Sequence, residues 1–154
     1  MIIEKYSFQI CQKLVVLSKN KTKALLCQRK GEVDMDGIFT FIGGKMETSD
    51  KNIVDGLKRE KDEELGENFK VFLYPTFSWN TMYRKKDGNF MTLPHYLGIH
   101  TEGGITLNEE YSQYQWVGLD RLKDFEPKVA NIPETVKKLL RLEKISEKSE
   151  YVLI

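Results

Sequence analysis

Residues 43–66, GGKMETSDKNIVDGLKREKDEELG, decide how this chain is read. They open on paired glycines and close on Gly66, with a heavily charged run between. Residues 51–65 read as a helix, because Ser49 or Asp50 can cap it and Gly66 stops it. At about 100° per residue, Glu60, Glu63 and Glu64 fall within ~100° of one another on a single face. Carboxylates that close repel, so solvent, basic partners or a bound cation must offset the cost. A solvated face screened by Lys58, Arg59 and Lys61 is the ordinary outcome of such a run. Two features point further. Gly56 shares the face of Glu60, and a glycine inside a helix costs ~1 kcal/mol against alanine. That predicts close approach of another backbone segment, with Gly43-Gly44-Lys45 as the candidate. The contact would bring a backbone carbonyl beside the acids, a set of hard oxygens suited to Mg²⁺ or Mn²⁺. Arg59 stands four residues before Glu63, a spacing at which a guanidinium fork can orient a carboxylate.

The segment Gly44-Lys45-Met46-Glu47…Arg59-Glu60-Lys61-Asp62-Glu63-Glu64-Leu65-Gly66 resembles the Nudix box, G-x5-E-x7-R-E-U-x-E-E-x-G-U, where U is bulky and apolar. Gly44, Arg59, Glu60, Glu63, Glu64 and Gly66 all match its fixed positions. Upstream, LLCQR and FTFIGGK look like the family's strand-loop-strand entry. Downstream, EEYSQYQWV (residues 109–117) looks like the stretch around its last strand. The resemblance spans most of residues 10–122. It departs in one place. Positions 45–58 hold 14 residues, one more than the pattern's 5, 1 and 7 allow. Counting from Gly44 puts the loop acid at Asp50; counting back from Arg59 puts it at Lys51, which has the wrong charge. Asp50 is the better stand-in, with Glu47 a further candidate. Lys61 and Glu67 occupy apolar positions of the pattern, and Ile42 stands where proline is common.

Outward from the box, residues 6–17 and 23–29 are rich in β-branched and apolar types and read as strands. Residues 31–37 read as a loop and 38–42 as a short strand. After the box come β-rich stretches at about 69–83 and 90–101, a short strand at 114–118 and a helical turn at 119–124. A final helix starts near Asn131, with Pro133 in its first turn, and runs to about Lys144. Val136, Leu139, Leu140 and Leu142 form its buried stripe. The pattern is that of an α/β sandwich with a mixed sheet, and the resemblance implies the Nudix-type α/β/α arrangement, with its catalytic loop-helix in mid-chain and a C-terminal helix.

The chain's 154 residues suit one domain over residues 1–154. A net charge of +1, from 24 basic and 23 acidic residues, gives no global pull toward nucleic acid or membrane. No run approaches the ~18 apolar residues of a membrane helix, so a cytoplasmic protein is expected. Cys11 and Cys27 lie in apolar runs and read as buried thiols. No sequence feature marks a dimer interface, and a homodimer stays open.

The resemblance implies hydrolysis of a nucleoside diphosphate-linked substrate with Mg²⁺ or Mn²⁺ as cofactor. Its metal ligands would be Glu60 and Glu64, with Glu63 and the Gly44 carbonyl contributing. Arg59 would hold Glu63. Glu110 is the candidate general base outside the box, with Glu109 behind it. Arg29 and Lys45 would meet substrate phosphates. Among Phe77, Trp79, Tyr83, Phe90 and Tyr96, most are core residues, and Trp79 and Tyr83 are the candidates to meet a base. His95 reads as structural. A (deoxy)nucleoside triphosphate is the leading substrate; ADP-ribose, dinucleoside polyphosphates and nucleotide sugars are alternatives. Two further readings compete: a Nudix-fold nucleotide-binding module without catalysis, and a solvated acid face in an unrelated α/β protein.

Overall fold

The structure, a computed structural model, describes residues 7–147 and 150–154. Their elements run β1 (Gln9–Leu17), β2 (Lys23–Arg29), β3 (Phe39–Thr40), β4 (Ile42–Lys45), α1 (Ile53–Leu65), β5 (Lys70–Leu73), β6 (Trp79–Arg84), β7 (Phe90–Glu102), β8 (Tyr111–Gly118), α2 (Ile132–Ile145) and β9 (Val152–Leu153). The strands form a mixed sheet ordered β3-β2-β1-β7-β5-β9, with β4 on β1, β6 on β7 and β8 on β2. The pairing of β1 with β7 is parallel and the others are antiparallel.

Strand β1 shows why both faces are covered. Successive side chains point to opposite sides of a strand. Leu14 and Val16 join Leu57, Leu65, Phe69 and Val71 in the cluster under α1. Val15 and Leu17 join Phe41, Leu97, Val136 and Leu139 in the cluster under α2. Each such fully buried side chain stabilises the fold by about 1.5–3 kcal/mol relative to exposure. The expected sandwich with a mixed sheet is therefore present, and the stripe on α2 faces it as read.

Several boundaries differ from the sequence reading. Residue 6 lies outside the described residues, and β1 begins at Gln9. The run 38–42 is two strands: β3 pairs with β2, and after Phe41 the chain crosses to pair β4 with β1. Asn52, not Ser49 or Asp50, caps α1, its Oδ1 accepting the Asp55 N–H at 2.9 Å. Gly66 ends the helix at φ 97°, as expected. The stretch 69–83 is interrupted between Leu73 and Trp79, and the last long strand begins at Tyr111 rather than 114. Residues 119–121 form a short 3-10 turn. The tail returns to the sheet, with β9 paired to β5 and Ile154 buried. Cys27 is buried, but Cys11 is only half-buried. Lys61, at an apolar position of the box pattern, is fully buried with its ammonium against Asp62. Glu67 is exposed, and Phe69 is the buried residue there. No helix among the described residues is long and apolar enough to cross a membrane.

Candidate functional site

Strand β4 carries the two glycines directly against the acids of α1. The Gly43 N–H donates to Glu64 Oε2 at 2.8 Å. A Cβ on Gly44 would lie 2.5 Å from Glu60 Oε1. The close approach anticipated for the glycine loop is thus made to Glu60 and Glu64. Gly56 serves a different contact: a Cβ there would lie 2.1 Å from Gln12 Nε2 and 3.1 Å from Asp50 Oδ2. The glycine in the helix makes room for the buried Gln12 side chain of β1, not for the Gly43-Gly44-Lys45 backbone.

Arg59 organises the loop. Its Nε and Nη2 each donate to one oxygen of Asp50 at 2.9 Å, and Nη1 donates to Glu60 Oε1 at 2.9 Å. The expected fork onto Glu63 is reduced to a 3.6 Å contact, and Glu63 stays half-exposed. Glu47 approaches Arg59 only to 3.5 Å, whereas Asp50 also accepts the Glu47 N–H at 2.9 Å. Of the two acids weighed for the loop, Asp50 is the one bonded to Arg59. Arg59 and the Glu47 N–H hold the Asp50 carboxyl down to about 2. A depressed carboxyl contributes stability that is present above its unfolded value near 3.8 and is lost as pH falls through the folded value. Asp50→Asn should lower the melting temperature at neutral pH, and the gap to wild type should close between about pH 4 and pH 2. A gap that stays constant over that range would show that the Arg59 fork does not act through charge.

The carboxylates converge on the gap between β4 and β8. Glu64, 1% exposed, accepts the Tyr111 hydroxyl at 2.9 Å as well as the Gly43 N–H. Glu60 is 8% exposed. Burial pushes both acids up, and the neighbouring Glu110 adds to the rise of each. Among the described residues, no three His, Cys, Asp or Glu side chains already surround a single point. The donor set still fits a hard divalent cation. Two buried carboxylates lie beside a third acid, Glu110, and oxygen is the ligand such an ion takes. Glu60 and Glu64 would hold it by turning about their anchors at Arg59, Gly43 and Tyr111.

Glu60, Glu63 and Glu110, with Glu64 buried behind Glu60, line a cleft of about 790 Å³, within the range of ligand pockets. Its floor is the part of the α2-side sheet face that α2 does not reach. Cys11, Lys13, Thr81, Tyr83, Leu93 and His95 line it, with Phe41 and Ile132 at the border of the core. Arg29, Lys45, Glu63 and Glu110 also line it. Arg29 is paired with Glu32 and lies 5.9 Å from the centre of the Tyr111 ring. Glu109 lines an adjoining hollow with Glu110, beside the loop at Lys30–Asp34. Trp79 is placed elsewhere: it packs on the α2-side core, with the Lys138 ammonium 5.2 Å above its ring. His95 is structural as read, buried, with Nδ1 3.1 Å from the Trp79 carbonyl and its ring edge-on to Phe41. The sequence reading passed over Lys13, Thr40, Asn131 and Tyr111. For Lys13 a signal existed, since a lysine in mid-strand amid LVVL stands where an apolar residue belongs.

A family model described as NUDIX domain matches residues 13–139. No curated protein matches the chain. Among solved structures, the MutT protein of Methanosarcina mazei Go1 is 19% identical with a TM-score of 0.73, covering 93% of this chain and 99% of that one. The C. elegans Ap4A hydrolase, in a binary complex, is 16% identical with a TM-score of 0.70, covering 88% and 98%. The NUDIX domain of Shewanella oneidensis NrtR, complexed with ADP ribose, is 14% identical with a TM-score of 0.65, covering 90% and 88%. Identities this low speak for the fold.

Proposed function

The chain belongs to the NUDIX domain family, pyrophosphohydrolases of nucleoside diphosphate-linked substrates, and from that premise we propose that it cleaves a (deoxy)nucleoside triphosphate using a divalent ion held by Glu60 and Glu64. The observation that carries this reading is the junction of two unlike surfaces. A cleft with apolar and aromatic walls opens directly onto buried acids, and its volume suits one nucleoside with its phosphate chain.

Each group has a role in this reading. Arg29 and Lys45 face the phosphates at the mouth, where a guanidinium and an ammonium offset phosphate charge. Arg59 fixes Glu60 and, through Asp50, the loop that precedes α1. Tyr111 and the Gly43 N–H fix Glu64. When bound, Mg²⁺ or Mn²⁺ screens the phosphate charge and activates the attacking water. Glu110 is the general base: it lines the cleft and reaches Glu64, so it can take the proton of a water placed between them. Glu63, half-exposed beside Arg59, completes the acidic rim. Residues 1–154 act as one domain.

The test is release of phosphate or pyrophosphate from a panel of ribo- and deoxynucleoside triphosphates, ADP-ribose and dinucleoside polyphosphates, with Mg²⁺ or Mn²⁺. Turnover of a triphosphate that stops on chelation is the expected result. Tight nucleotide binding with no turnover on any member would instead make the chain a silent nucleotide-binding module.

A further inference from the structure

We propose that Lys13 reads the base of the bound nucleotide and selects a 6-oxopurine, guanine or hypoxanthine, over adenine. The inference rests on the nucleotide reading above and adds its specificity.

Lys13 lies at the centre of the cleft floor, with Gly43 and His95 as its neighbours on the flanking strands. It is 8% exposed. Its Nζ donates to the Phe41 carbonyl at 3.3 Å, and among the described residues it makes no ion pair. An ammonium carries three donors, so this one keeps donor capacity for a ligand. Its stem is held in place, since a Cβ on Gly43 would lie 3.0 Å from Lys13 Cδ. The Thr40 Oγ1, also buried and lining the cleft, has no hydrogen-bond partner among the described residues. Polar groups buried this deeply are costly unless something meets them.

What meets them is an uncharged group with acceptor atoms. The surroundings include the Phe41 ring, Leu93, Ile132 and His95, and the Lys13 charge is already partly answered by Glu64, on which it acts. Burial, and then the neighbouring Lys13, push His95 down to about 4, so at neutral pH the imidazole is not a second cation. A phosphate placed there would have one ammonium and apolar walls, whereas Arg29, Lys45 and Arg59 wait at the mouth. The phosphates therefore stay at the mouth and the base enters. Guanine and hypoxanthine present O6 and N7 side by side, two acceptors for one ammonium. Adenine puts its amino group in the place of O6, and donor then meets donor.

The experiment is calorimetric binding of guanosine, inosine and adenosine triphosphates in Ca²⁺, to wild type and to Lys13→Met. Wild type should bind the guanosine and inosine nucleotides roughly tenfold or more tighter than the adenosine nucleotide. Lys13→Met should bring all three within about twofold of each other. Equal affinities in wild type would overturn the proposal. So would a Lys13→Met protein that weakens all three by one factor, the mark of a phosphate contact. If Lys13→Met does not fold, the wild-type ratio and the variant Thr40→Val decide, the latter expected to narrow the preference. Hydrolysis is scored separately. Turnover of all bases alike defeats only the base reading, and a guanine preference in binding without turnover defeats only the hydrolase reading.

Discussion

Glu64→Gln is expected to abolish hydrolysis while leaving the fold intact. The glutamine keeps the shape of the side chain. Its amide oxygen can still accept the Gly43 N–H, and the Tyr111 hydroxyl, which donates to Glu64 Oε1, can turn to receive the amide N–H. What disappears is the negative charge that would hold a divalent ion beside Glu60. Loss of metal-assisted charge stabilisation should lower kcat by about 10³-fold, equivalent to about 4 kcal/mol at 1.36 kcal/mol per tenfold. The same change should appear without any substrate. An ion at one hundred times its Kd stabilises a protein by about 2.7 kcal/mol, a rise of roughly 5–10 °C for a chain of this size. Wild type should show that shift with Mg²⁺ or Mn²⁺, and Glu64→Gln should show little of it. A variant that still hydrolyses nucleotides at the wild-type rate with Mg²⁺ would return these acids to the status of a helix face. The outcome is sharp because Glu64 is almost wholly buried, beside Glu60 and Glu110.

The Arg59-to-Gly66 half of the box was legible because its information is local. One helical period sets which of Glu60, Glu63 and Glu64 share a face, and Gly66 closes the helix at the position its φ requires. The partner of Arg59 was not legible in the same way. Helical spacing pointed Arg59 to Glu63, while counting residues offered Asp50 and Glu47 only for the loop acid; the turn before Asn52 brings both Asp50 oxygens to the guanidinium. The cleft was harder still. Trp79 and Tyr83 lie on the same face of β6, two side-chain repeats apart, so a strand pattern cannot separate them. They part because α2 covers Trp79 through Lys138 and stops short of Tyr83. Lys13 and Val15 are split the same way on β1, one under open cleft and the other under α2. Where a helix ends over a sheet is a tertiary fact, set by the 14 residues of α2 and the packing of its Val136 and Leu139 stripe.

Gly43→Ala is expected to cost the fold itself, in contrast to its neighbour. Gly43 sits at φ 139°, a backbone conformation that side-chain-bearing residues rarely adopt. A Cβ there would also lie 2.1 Å from the Gln12 carbonyl oxygen and 2.9 Å from Lys13 Cα. Both are backbone atoms of β1, paired with β4 in this register, so relief requires the two strands to separate. Separation would break the Gly43 N–H bond to Glu64 and unseat the adjoining Ile42 from the core under α1. Strain and lost packing together should reach about 3 kcal/mol or more, a fall in melting temperature of at least about 6–12 °C. Gly44→Ala differs in kind. The three atoms nearest its Cβ all belong to the carboxylate of Glu60, 2.5–2.7 Å away, and a side-chain end can swing aside. That variant should melt close to wild type yet lose activity, because Glu60 is driven off Arg59 and away from the place where an ion would bind. The pair is measured by melting temperature and nucleotide hydrolysis on the same samples. If Gly43→Ala melts like wild type, or Gly44→Ala keeps full activity, the close packing of β4 against β1 and α1 is not what holds the carboxylates in place.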